Sequence, residues 1–140
     1  MNRINKDEYY LNIAIAVSKR STCLRRHYGA VIVNNNEIIA TGYNGSARGC
    51  DNCCDIHDKC PRENEPHNSG NYATCPAVHA EQNALISAAR KDVLGATLYL
   101  AGEELIDGKL YNIKDCYPCP VCERMIKNSG IEKIITFNNI

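Results

Sequence analysis

The chain has 140 residues, 44% of them hydrophobic, with 16 basic side chains against 16 acidic ones and nine cysteines. Residues 1–140 are thus expected to form a single domain able to bury a core without disulfide staples, and the composition excludes a disordered chain. Zero net charge argues against coating polymeric nucleic acid or clinging to an acidic membrane. The best apolar run, Ile13 to Val17, is too short to span a bilayer, and the N-terminus carries no signal-peptide core, so the cytoplasm is the expected compartment. Thiols stay reduced there, and an odd number of cysteines cannot be used up in intramolecular disulfides, so the count points to metal.

From about Asp7 to Lys19, Tyr10, Ile13, Ala14 and Val17 recur at helical spacing, and Asn5 with Glu8 three residues on supplies a cap. After the basic stretch Lys19 to His27 comes the β-branched run Ala30-Val31-Ile32-Val33. Asn34-Asn35-Asn36 gives turn chemistry before Glu37 to Thr41, so a hairpin is predicted. Gly42 to about Pro76 has no regular pattern. A loop of that length is normally functional or clamped, and Cys50, Cys53, Cys54, His57, Cys60, His67 and Cys75 could clamp it. Ala80 to Arg90 reads as a helix, Thr97 to Leu100 as a strand and Gly102 to Tyr117 as a second loop. Cys119 to Ser129 reads as a helix stopped by Gly130, and Lys133 to Phe137 as a strand. This order predicts an α/β fold: a mixed sheet with an antiparallel hairpin, a parallel pair joined by a crossover, and helices packed on it.

Two motifs carry chemistry. His79-Ala80-Glu81 opens one helix and Pro118-Cys119-Pro120-Val121-Cys122 opens another. A Cys-x-x-Cys at a helix start places two sulfurs on one side of the first turn, near the positive end of the dipole, which favours thiolates. With His79 it offers three protein ligands and leaves a fourth zinc position for water, the arrangement of a catalytic rather than a closed site. Alone, the Cys-x-x-Cys could be a redox pair or half of a zinc ribbon, and the histidine a cap. Together they match a His-x-Glu … Pro-Cys-x-x-Cys signature in which the glutamate, here Glu81, moves protons without ligating.

The sequence resembles the zinc-dependent cytidine and deoxycytidylate deaminases, the deoxycytidylate (dCMP) deaminases most closely. The likeness runs through Arg20-Ser21-Thr22-Cys23, Gly29 to Val33, Thr41-Gly42-Tyr43-Asn44-Gly45, His79 to Ala84, and Pro118 to Cys122. It implies a three-layer α/β/α fold with a mixed central sheet of four to five strands. It also implies hydrolysis of dCMP to dUMP and ammonia, supplying dUMP for dTMP synthesis, with catalytic zinc on His79, Cys119 and Cys122 and with Glu81 as the acid–base group. By the same resemblance Asn44 binds the sugar and the backbone of Ala80 meets the pyrimidine O2. Arg25, with Arg26 as second choice, stands near the phosphate, which suits a guanidinium fork. The alternative for these arginines is a solvated basic face.

The resemblance further implies a second, structural zinc held by Cys23, Cys53, Cys60 and Cys75, with Cys50, Cys54, His57 and His67 as rival ligands and ordinary buried thiols as the plain alternative. It suggests a homo-oligomer, with a hexamer as one form, acting on a small-molecule nucleotide. Gly102 to Tyr117 is longer than the family norm and is expected to remodel one wall of the pocket. The rival functions are deamination of another cytosine nucleoside, nucleotide or modified base, and a non-catalytic deaminase-like zinc protein linked to DNA uptake.

Overall fold

The computed structural model describes residues 1–66 and 74–140, so His67 lies outside the described residues. In chain order these form α1 (Lys6–Ser18), β1 (Arg26–Asn34), β2 (Glu37–Tyr43), β3 (Gly45–Ser46), α2 (Cys53–Ile56) and β4 (Ala77–Val78). Then come α3 (Ala80–Ile86), α4 (Arg90–Val93), β5 (Thr97–Ile106), β6 (Lys109–Asn112), α5 (Pro120–Ser129) and β7 (Lys133–Ile135). Local chemistry sets several boundaries. The Asn5 side chain accepts from the Glu8 N–H at 2.8 Å and starts α1. Asn35 and Asn36 take positive φ to close the β1–β2 hairpin, and Gly130, at φ 91°, ends α5.

Period-two alternation along the two central strands makes the layers. Ala30 and Ile32 of β1 and Leu98 and Leu100 of β5 face a core closed by Ala80 and Ala84 of α3, Val93 of α4 and Ile126 of α5. Their neighbours Val31, Val33, Tyr99 and Ala101 face the other way, onto Tyr10, Leu11 and Ala14 of α1. The result is the expected three-layer α/β/α arrangement around a mixed five-stranded sheet. Antiparallel pairing joins β2 to β1 and β1 to β5, and β7 runs parallel to β5 from Thr97↔Lys133 to Tyr99↔Ile135. Close approach needs glycine at two places. A Cβ at Gly29 would strike the backbone of α1 at Ala14, and one at Gly42 would strike the backbone of α3 at Ala80 and Ala84.

Two segments differ from the sequence expectation. The helix expected over Ala80 to Arg90 ends at its C-cap Ser87, and the chain restarts as the short α4. The segment Gly102 to Tyr117, read as a loop, continues β5 to Ile106 and returns as β6, which pairs antiparallel from Glu103↔Asn112 to Ile106↔Lys109. The turn is Asp107-Gly108, both at positive φ, and it supplies the fifth strand.

Candidate metal centre and active site

Two helix starts converge on one face of the sheet. The β3–β4 ribbon, paired Gly45↔Val78 and Ser46↔Ala77, delivers the chain to His79, the N-cap of α3. The His79 N–H donates to Gln82 Oε1 at 2.9 Å, which fixes that start. Cys119 caps α5, its sulfur accepting from the Cys122 N–H at 3.5 Å, and Pro120 occupies the first helical position. Because α3 and α5 pack together, His79 Nδ1 stands 3.6 Å from Cys119 Sγ and 3.2 Å from Cys122 Sγ. The three ligand atoms lie within 4.8 Å of one another, the only such group among the described residues.

This donor set fits zinc. Tetrahedral bonds of about 2.3 Å to sulfur and about 2.0–2.1 Å to nitrogen place N and S about 3.5 Å apart, the separation found here. Glu81 is 5% exposed beside the cluster. Burial pushes its carboxyl up, opposed by its own backbone N–H, the His79 charge and the Cys122 thiol. Burial also pushes the Cys122 thiol up, with the Glu81 charge adding to it. A bound cation reverses that preference, since a coordinating thiol gives up its proton.

A cavity of about 110 Å³ opens onto His79, Ala80, Glu81 and Cys119 and is also lined by Asn44, Arg25 and Arg26. The structure therefore brings every expected substrate-binding residue to one space. Asn44 is held rigidly: its Oδ1 accepts from the Tyr28 N–H and its Nδ2 donates to the Arg26 carbonyl, both at 2.8 Å. Arg25 Nη1 donates to the Arg62 carbonyl at 2.9 Å. Arg26 is engaged with two carboxylates at 3.2 Å, Glu104 through Nε and Asp115 through Nη1, and also donates to the Tyr28 hydroxyl. Sequence reasoning missed five lining residues, Tyr28, Arg62, Ala77, Leu100 and Tyr117. Their only local signal is residue type, since each reaches the cavity through long-range folding.

Cys23, Cys53, Cys60 and Cys75 line a second, smaller cavity of about 20 Å³, room for about one water-sized sphere. Burial pushes the thiols of Cys23 and Cys53 up, and the nearness of the other sulfurs adds to the shift. Among the rival ligands, Cys50, Cys54 and His57 are exposed and line neither cavity. Cys116 is a core residue whose thiol donates to the Leu100 carbonyl at 3.6 Å.

A family model described as the cytidine and deoxycytidylate deaminase zinc-binding region matches residues 4–138, and the chain belongs to that family. The chain is 38% identical over 141 residues to the deoxycytidylate deaminase of Mycobacterium phage D29, with 96% of each covered. It is 37% identical over 131 residues to the deoxycytidylate deaminase of Schizosaccharomyces pombe, spanning 92% of this chain and 36% of that longer protein. The structure is similar to that of the dCMP deaminase from the cyanophage S-TIM5 in complex with dCMP and dUMP. That likeness has a TM-score of 0.66 at 28% identity and covers 96% of this chain and 83% of the other.

Proposed function

We propose that residues 1–140 form one deaminase domain that hydrolyses dCMP to dUMP and ammonia. The observation that carries the chemistry is the buried Glu81 carboxylate lining the same cavity as the ligands His79 and Cys119. The substrate follows from the relatives named deoxycytidylate deaminase and from the similar protein bound to dCMP and dUMP. His79, Cys119 and Cys122 would hold zinc, which when bound would lower the pKa of a water for attack on C4. Glu81 relays one proton of the water to N3 and the other to the departing 4-amino group, which leaves as ammonia; burial, which pushes its carboxyl up, favours the protonated form during that transfer. The Ala80 backbone, at the start of α3, meets O2, and the clamped Asn44 amide orients the sugar. Arg25 takes the phosphate. Arg26 is the weaker candidate because two carboxylates already engage it.

A second zinc on Cys23, Cys53, Cys60 and Cys75 is supported by their shared cavity. A homo-oligomer, with a hexamer as the form the resemblance implies, is supported by apolar side chains exposed on the β5–β6 hairpin: Leu105, Ile106, Leu110 and Tyr111. A cytoplasmic setting suits nine free cysteines. No helix among the described residues is long and apolar enough to cross a membrane. A non-catalytic zinc module linked to DNA uptake would have no use for a buried, non-ligating Glu81.

The test is turnover of dCMP beside deoxycytidine and other cytosine compounds. Glu81→Gln should lower kcat by about 10²–10⁴-fold while zinc content holds. Undiminished turnover in that variant overturns the mechanism, and preference for unphosphorylated deoxycytidine overturns the substrate.

A further inference from the structure

Two turns in the cysteine-rich region share one hydrogen-bond pattern. Cys23 Sγ accepts from the Arg25 N–H, and Cys60 Sγ accepts from the Arg62 N–H, each at 3.4 Å. In both, the residue two places beyond the sulfur is an arginine, and both arginines line the cavity that contains Glu81. The turns are joined to each other, because Arg25 Nη1 donates to the Arg62 carbonyl at 2.9 Å. The Arg62 side chain is 9% exposed, is paired through Nε with Glu65 at 2.7 Å, and hydrogen-bonds to the Cys75 thiol. Cys23 thus touches Arg25, Cys60 and Cys75 touch Arg62, and all three cysteines line both cavities.

We propose that the four-cysteine cluster determines specificity: by holding Arg25 and Arg62 in register, it makes the active site prefer a 5′-phosphorylated nucleotide over the nucleoside. This rests on the reading of the chain as a nucleotide deaminase. Almost every residue between 47 and 66 is exposed or half-exposed, so apolar burial does little to order that backbone. Metal on the thiolates supplies the missing cross-link and strengthens the two N–H···S bonds by placing charge on their acceptors. A guanidinium presents its donors as a fixed fork, so a small shift of its backbone misaligns it for phosphate. A nucleoside lacks the phosphate that Arg25 grips and is indifferent to that shift. Arg62 and the four cysteines are positioning residues in this scheme, acting through the placement of Arg25 and of each other.

The experiment measures product binding, which involves no turnover. Calorimetry gives Kd for dUMP and for deoxyuridine with the wild-type protein, Cys60→Ser and Arg62→Lys, alongside metal content. Both variants should weaken dUMP at least tenfold while changing deoxyuridine by less than twofold. Cys60→Ser should lower the metal from two per chain to one. Parallel weakening of both ligands, unchanged dUMP affinity, or a single metal in the wild-type protein overturns the proposal. Arg62→Lys, which keeps all four thiols, answers the question if Cys60→Ser does not fold. dCMP turnover by the same wild-type preparation separates the two ideas. Turnover without nucleotide-selective loss in the variants defeats the positioning role alone, and selective loss without turnover defeats the deaminase reading alone.

Discussion

The two groups of sulfur-bearing residues reach their places by opposite routes. His79, Cys119 and Cys122 stand at the starts of α3 and α5, where helix caps and packing against the sheet hold them within 4.8 Å of one another. Cys23, Cys53, Cys60 and Cys75 come from turns, from the four-residue α2 and from the chain before β4, and they meet around a cavity rather than in a tight cluster. The first site is organised by the fold. On the proposed reading, metal on the second would organise its own surroundings, because the chain around it has little else to pack on. A ligand set on regular elements can therefore lose its metal and keep its shape, while one built on turns loses both.

Metal removal gives the largest expected difference. In the intact protein, alkylation followed by mass spectrometry should label mainly the exposed thiols Cys50 and Cys54. A strong chelator should add Cys23, Cys53, Cys60 and Cys75 and should raise proteolytic cleavage between 47 and 66 on the order of tenfold, with the α3 and α5 regions still protected. Equal cleavage throughout the chain would remove the distinction between the sites. Next is Gly42→Ala, which drives a methyl group into the backbone of α3. It should cost about 1–3 kcal/mol in denaturant unfolding and weaken zinc at His79, leaving the four-cysteine site loaded.

Cys116 is a control for thiols in neither site. Burial pushes its pKa up to about 12, from 9.0. The folded state therefore keeps the proton after the unfolded chain has lost it. Stability is whole below pH 9 and falls as pH rises toward 12, with a limiting slope of about 1.4 kcal/mol per unit. Cys116→Val should flatten unfolding curves measured across that window. The smallest effect belongs to Tyr99→Phe on the opposite face, which removes the 2.7 Å bond from the Tyr99 hydroxyl to Asp7. It should cost about 1 kcal/mol and change neither metal content nor kcat.

Much of this was legible locally. The spacing of Tyr10 and Ala14 marks α1, Ala30 to Val33 marks the centre of β1, and His79 with Cys119 and Cys122 falls at helix starts as the motifs require. The hairpin after β5 was overlooked although Asp107-Gly108 is strong turn chemistry, because Glu103, Glu104 and Lys109 dilute the apolar alternation around it. The early end of α3 was not legible: Ser87-Ala88-Ala89 contains no breaker, and helix propensity alone would have continued through it. Arg62 could not be placed because its position at the cavity depends on a contact with Arg25, 37 positions away.

The outer edge of β5 is tiled by two strands laid end to end, β7 against Thr97 to Tyr99 and β6 against Glu103 to Ile106. Across the seam between them, the Ile113 N–H reaches the Gly102 carbonyl and the Cys116 thiol reaches that of Leu100. Leu100 and Tyr117, at this seam and just beyond it, line the cavity that contains Glu81. The hairpin is thus a replaceable module: residues 105–111 can lengthen, shorten or be exchanged while the stitches at Ile113 and Cys116 keep the following chain on course to Cys119. The cavity wall at Leu100 and Tyr117 is thereby insulated from whatever the hairpin carries.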